Sequence, residues 1–481
     1  MKNQDIHHSK IYLLSNVLTL LGYLILYPFV TKYISPSIYG DYILIYSYAS
    51  IIIGIGNLGC RVGYRRNFFD FSDDRNYSKS LLFSVQIFIL VIFVFIFSIF
   101  FFLEDYLLNF FSISEEVKSI LFVILISLML DSYCKYFLIY LENKKKSKKY
   151  FIIFSIKTYL YFAIVFFLIF IGEGITSMAY GLLLSNLFLL VVTTFIQFSK
   201  GFSGYNFNLN YLKEILVISI PSTPRIFFGR INSDIDKILI SYFVNTESTG
   251  IYAIGQSIAY SIFQVMTSLD KVFVPEIYKM MFIKKYKEIG NYLSPFFFFL
   301  SLLTLGIISS ANIIVDIFLD AKYAEAKIII IIFSIYYLTL FFSKVTGHQL
   351  VFLKKVWVNT FAFFLNIFLN SILSVLLIYY FGFYGAAYAT VISSLLGLFF
   401  SNILLKKWIN INYNYRLIIS SYIFLTLAIL VQIFVESSKL NSNYTFQFVL
   451  IILTGLAFII YGSVEKIINK ENLIDMLNIN K

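Results

Sequence analysis

Residues 80–103 read SLLFSVQIFILVIFVFIFSIFFFL. No Asp, Glu, Lys or Arg interrupts them, and Phe, Ile, Leu and Val fill most positions. A helix rises about 1.5 Å per residue, so this segment outreaches the roughly 30 Å hydrocarbon core of a bilayer. Left in water, such a surface aggregates. The segment therefore reads as a transmembrane helix, and the rest of the chain reads the same way. Of its 481 residues, 59% are hydrophobic and 20% aromatic, with only 13% charged. A soluble domain carries about 25% charged residues, and a chain this apolar is not disordered.

Apolar runs of spanning length recur near 11–33, 41–63, 80–103, 117–141, 150–172, 175–198, 212–243, 250–274, 291–318, 326–353, 356–381, 384–405, 415–436 and 444–463. They predict an all-α, polytopic membrane protein of about 14 transmembrane helices. The opening MKNQDIHHSK leads into the first run with no small-residue cleavage site before Pro28, so that run is expected to be a retained helix. The seventh run is overlong and holds Pro221, Pro224 and Gly229, which predicts a kink.

The loops alternate in charge. Those after even-numbered runs carry Arg65, Arg66, Arg75 and Lys79, then Lys144, Lys145, Lys146, Lys148 and Lys149, then Lys279, Lys284, Lys285 and Lys287, then Lys406 and Lys407. Stretches 104–116, 172–174 and 244–249 have no Lys or Arg. The asymmetry places both termini in the cytoplasm and accounts for most of the net charge of +12 without nucleic acid. Cys60 and Cys134 lie in apolar runs, which excludes a disulfide scaffold and a cysteine zinc site. His7 and His8 have no partner pattern, so no metal site is indicated.

A shift of 210 residues brings like onto like. Gly40-Asp41-Tyr42 falls on Gly250-Ile251-Tyr252, Lys144-Lys145 on Lys354-Lys355, Gly172 on Gly382 and Ala179 on Ala389. Six runs separate equivalent positions, so the halves share one orientation. The expected organisation is a six-helix bundle over 1–200, a parallel second bundle over 201–410, and two extra helices with a cytoplasmic tail over 411–481. Such repeats suggest a site between bundles that rock between two access states.

Three segments carry a family resemblance. Residues 28–66, PFVTKYISPSIYGDYILIYSYASIIIGIGNLGCRVGYRR, pair a proline and a short turn ending in Tyr-Gly with an Asn-Leu-Gly step followed by Arg. Residues 232–252 read NSDIDKILISYFVNTESTGIY, and residues 382–397 read GFYGAAYATVISSLLG. In order and spacing they resemble the O-antigen (Wzx-type) polysaccharide flippases of the multidrug/oligosaccharidyl-lipid/polysaccharide exporter superfamily. Asn57 stands where that family often has Asp. The resemblance implies translocation of a polyprenyl (undecaprenyl)-diphosphate-linked oligosaccharide across a bacterial plasma (inner) membrane, for O-antigen or capsule. It implies membrane lipids, a polysaccharide polymerase and a chain-length regulator as partners, and no catalytic residue.

Ionisable residues inside a span cost roughly 2.5–3.5 kcal/mol each on insertion scales, so they need a reason. Ser222, Arg225, Gly229, Asn232 and Asp236 follow a three-or-four spacing that puts them on one helical face. That polar stripe is expected to face a cavity. Arg225, with Arg230 off the stripe, suits a diphosphate, because a guanidinium donates parallel hydrogen bonds to phosphate oxygens; the alternative is an ion pair that holds the bundle. Arg61, Arg65 and Arg66 read as a cationic mouth or as a positive-inside anchor, and Lys271 joins the cationic candidates. Asp234, Asp236 and Asp270 read as carriers of a coupling proton or sodium ion, or as salt-bridge partners. No cofactor is expected. Asp131 and Lys135, four apart, are expected to pair. Gly54-Ile55-Gly56-Asn57-Leu58-Gly59 matches a dinucleotide fingerprint but lies in an apolar run without a soluble βαβ unit. Gly59 and Gly63 are expected instead to let two helices pack closely.

Two other functions compete with the flippase. A multidrug exporter of the same superfamily usually has twelve spans and a less basic cavity. A membrane polymerase or ligase is expected to need a large outer loop with catalytic groups, and the outer loops here are short.

Overall fold

The computed structural model describes residues 18–19, 22–23, 25–69, 75–102, 118–199, 207–437, 444–465 and 467. Among them all regular structure is helical. In chain order the helices are α1 (25–33), α2 (Pro36–Gly56), α3 (Cys60–Asn67), α4 (Arg75–Phe102), α5 (Lys118–Asn143), α6 (Ser147–Ile171), α7 (Thr176–Ser199) and α8 (Leu209–Phe243). They continue with α9 (Thr246–Phe282), α10 (Tyr286–Ser309), α11 (Ala311–Phe318), α12 (Ala326–Phe352), α13 (Val356–Phe381), α14 (Phe383–Leu405), α15 (Tyr415–Ser437) and α16 (Tyr444–Val464).

Eleven of these helices are long and apolar enough to cross a membrane. Large apolar side chains stay uncovered on them, including Phe102 at 82% and Phe170 at 77% exposure, as lipid rather than water would demand. α8 and α9 are longer, 35 and 37 residues, and carry charges and internal prolines. The expected first span, 11–33, lies partly outside the described residues. α8 is helical from end to end with Pro221 and Pro224 inside it.

Two expected spans are broken. The run 41–63 ends at Gly56, where Asn57 caps α2. Leu58 (φ 44°) and Gly59 (φ 64°) then adopt left-handed backbone that no right-handed helix continues through, and α3 starts afresh at Cys60. The glycine-rich motif therefore sits at a joint and not, as hydropathy suggests, within one helix. The run 291–318 divides at Ser310 into α10 and the short α11.

The chain forms two compact units, one over residues 21–241 and one containing residues 242–481. Most of α8 belongs to the first unit, where its first half lies against α3. A Cβ on Gly63 would strike the Ile215 carbonyl and the Ser219 hydroxyl, and one on Gly59 would sit 2.7 Å from the Ser219 carbonyl. Glycine alone permits this approach, so the pair does the packing its spacing suggested. Tyr211 on Tyr77 (4.8 Å between rings) and the Asn208 N–H donating to Ser84 Oγ (2.9 Å) secure the same end of α8. In the other unit, α15 and α16 pack on the preceding helices. Phe458 stacks on Phe298 at 4.6 Å, Tyr422 bonds Thr339 at 2.9 Å, and Gln432 donates to the Ser309 carbonyl.

The local geometry is compatible with two repeats. Ser35 and Asn245 both cap helices by accepting from the N–H three residues on, Ile38 (3.5 Å) and Ser248 (2.7 Å). The turns after α5, α9 and α12 share one design, with Lys145, Lys284 and Lys354 at φ 52°, 59° and 58°. In each, the next residue's N–H reaches back 2.8 Å to a carbonyl five positions earlier: Lys146 to Leu141, Lys285 to Met280 and Lys355 to Leu350. This places Lys145, not Lys144, opposite Lys354, one residue short of the expected offset. A left-handed lysine carries a Cβ penalty of about 1 kcal/mol. Lys354→Gly is accordingly expected to raise the thermal unfolding midpoint in detergent by a few degrees, and Lys354→Val to lower it.

Candidate functional site

The joint at Leu58–Gly59 aims α3 across α5. Asn57, 7% exposed, donates through Nδ2 to Ser132 Oγ and accepts at Oδ1 from the Tyr136 hydroxyl. Arg61, one turn into α3, donates from Nη2 to the same Ser132 Oγ at 2.8 Å. Ser132 and Tyr136 are 2% and 0% exposed. Beside them Asp131 pairs with Lys135 as its four-residue spacing suggested, and also with Lys157 from α6 at 3.4 Å. Arg61 feels the same carboxylate. One acid thus faces three cations, a surplus suited to an oxyanion.

A second cationic group forms where α8 meets α2. Arg230, Asp234 and Lys237 lie at helical spacing on one face of α8. Asp234 is buried; Ser50 Oγ (3.1 Å), Ser233 Oγ (3.2 Å) and Lys237 Nζ (3.1 Å) all donate to it. Arg230 Nε donates to Ser50 Oγ at 3.0 Å and lies 3.5 Å from the Asp234 carboxylate. The Arg230 side chain stays 40% exposed, and it also hydrogen-bonds the Tyr46 side chain on α2. Tyr46 lies near enough to feel the charges of Arg230, Asp234 and Asp131.

The remaining candidates scatter. Arg225 is exposed on α8, and Asp236 is buried at 3%. Arg65 bonds Glu142 at 2.7 Å, and Arg65 and Arg66 line an open hollow with Val62 and Phe69. Asp270 sits in the other unit and pairs with Lys344 at 2.5 Å. The side chain of Lys271 lies outside the described residues. Lys344 also rests over the Phe263 ring at 4.8 Å, and His348 packs edge-on to Tyr278. Among the described residues no His, Cys, Asp or Glu cluster is built to hold a metal ion.

Sequence reasoning missed Ser50, Ser132 and Tyr136, whose partners lie on other helices. It left Lys157 unplaced, though an intramembrane lysine is itself a signal that a partner exists.

A family model described as polysaccharide biosynthesis protein matches residues 29–325. Among solved structures, the chain resembles the lipid II flippase MurJ in an inward closed conformation, with a TM-score of 0.68 at 17% identity over 95% of this chain and 99% of that one. An inward-facing multidrug resistance MATE family transporter of the MOP superfamily matches with a TM-score of 0.67 at 13% identity, over 83% of this chain and 98% of that one. A MOP superfamily transporter from Pyrococcus furiosus matches with a TM-score of 0.57 at 13% identity, over 84% of this chain and 95% of that one. No curated protein matches in sequence.

Proposed function

The chain belongs to the polysaccharide biosynthesis protein family, and from that premise we propose that it is a flippase and not an enzyme, moving a polyprenyl-diphosphate-linked oligosaccharide between membrane leaflets. The family match carries the reading. The fold supports it, since the likeness to the lipid II flippase extends over 95% of the chain, against 83% for the MATE transporter. The cationic surplus around Arg61 and Arg230 supplies the chemistry, because guanidinium groups in a low-dielectric interior favour a phosphate-bearing cargo.

The basic loops favour cytoplasmic termini, and the family resemblance favours a bacterial inner membrane and export toward O-antigen or capsule assembly alongside a polymerase and a chain-length regulator. An ion gradient drives the cycle through proton or sodium binding at Asp234, Asp236 or Asp270. Deleting the gene in its host tests the whole. Lipid-linked saccharide is expected to build up on the cytoplasmic leaflet while its synthesis continues. If deletion instead stops synthesis of the lipid-linked unit, the chain acts as an assembly enzyme and the flippase reading fails.

A further inference from the structure

We infer that Ser132, Asn57 and Tyr136 are positioning residues that hold the Arg61 guanidinium by one edge, leaving its Nε–H edge to receive a phosphate oxygen. The inference rests on the flippase reading only for the identity of the cargo that brings the phosphate.

The hydrogen bonds have a fixed sense. The Tyr136 hydroxyl donates to Asn57 Oδ1, Asn57 Nδ2 donates to Ser132 Oγ, and Arg61 Nη2 donates to the same Oγ at 2.8 Å. A hydroxyl oxygen has two lone pairs, so the two donors fill Ser132. The three supporting side chains are buried and come from α5 and the end of α2, two elements fixed by their own packing. Arg61 is thereby tethered at Nη2.

The other edge is idle. Arg61 Nε is buried and meets no acceptor among the described residues. Leaving a charged donor dry and unpaired is costly. The Asp131 carboxylate does not relieve it, since its oxygens bond Lys135 and Lys157 and neither bonds Arg61 Nε. A tethered cation with an unpaired N–H is already oriented for an oxyanion, and only the side chains covering Nε have to part to admit one.

The probe is inorganic pyrophosphate, read by thermal unfolding of the purified full chain in detergent. Wild type is expected to show a saturable upward shift, and Arg61→Gln none. Ser132→Ala is expected to raise the half-saturating concentration about tenfold, the scale of one hydrogen bond to a charged group. Ser132→Thr, which keeps the hydroxyl, stays within about twofold of wild type. Tyr136→Phe, the milder variant should Ser132→Ala not fold, raises it about threefold. A merely structural role would lower the melting temperature and leave half-saturation unmoved. No shift in wild type, an equal shift in Arg61→Gln, or unchanged half-saturation in Ser132→Ala and Tyr136→Phe overturns the assignment. If the shifts appear as expected while gene deletion leaves lipid-linked saccharide unaltered, the flippase reading fails and the Arg61 site stands.

Discussion

Asp131→Ala is expected to destabilise the protein by about 3 kcal/mol, because it strands buried cations. The Asp131 side chain is 15% exposed and that of Lys157 17%, so neither is well hydrated once its partner is gone. Lys135 suffers less, since 43% of its side chain remains exposed. The cost therefore comes chiefly from the α5–α6 pair and not from the one-helix pair that the sequence displays. That attribution is checked by a double-mutant cycle. Asp131→Leu with Lys157→Leu replaces the pair by apolar side chains, and most of the lost stability is expected to return. Unfolding in detergent reads both. A single-mutant loss under about 1 kcal/mol would mean that water reaches the pair, and the interior assigned here would be wrong.

Gly63→Leu is expected to prevent the folded protein from accumulating in the membrane. The new side chain has nowhere to go, since the Ile215 carbonyl and the Ser219 hydroxyl occupy the place of its first carbon. Flexible side chains give way to such intrusions, but a helix backbone gives way only by moving α8. Gly63→Ala is the graded test, with a loss of about 1–3 kcal/mol expected for overpacking. Gly306→Ala is the control. That helical glycine has nothing within 4 Å of a built Cβ, so alanine there is expected to be neutral or stabilising by about 0.5–1 kcal/mol. Size-exclusion profiles and melting curves of membrane extracts separate the three. Equal melting of wild type and Gly63→Leu would show that α8 does not rest on α3.

The lipid solvent and the helix ends were legible because hydropathy acts locally. Helices such as α6 and α13 lie within a few residues of the runs that announce them. The joint at Leu58–Gly59 was not legible, because a hydropathy run records what the side chains dissolve in and not the sign of φ. The membership of α8 was hidden for a related reason. Gly59 and Gly63 announce a close contact but not its partner, which lies some 150 positions along the chain. The site divided in the same way. Asp131–Lys135 and Arg230–Asp234 lie four apart on one helix and show in the sequence. Asp270–Lys344, Asp131–Lys157 and Arg61–Ser132 join helices 74, 26 and 71 residues apart, where no periodicity reaches. The polar stripe from Ser222 to Asp236 drew attention to Arg225, yet the bonded network gathers around Arg230, one position off it.

A straight rod that crosses a bilayer can shift its charged tip only by tilting its whole length through the acyl chains. The left-handed pair at Leu58–Gly59 uncouples tip from shaft. The short lever bearing Arg65 and Arg66 therefore takes its aim from α5 and α8, which hold it at Arg61, Gly59 and Gly63, and not from the lean of the shaft.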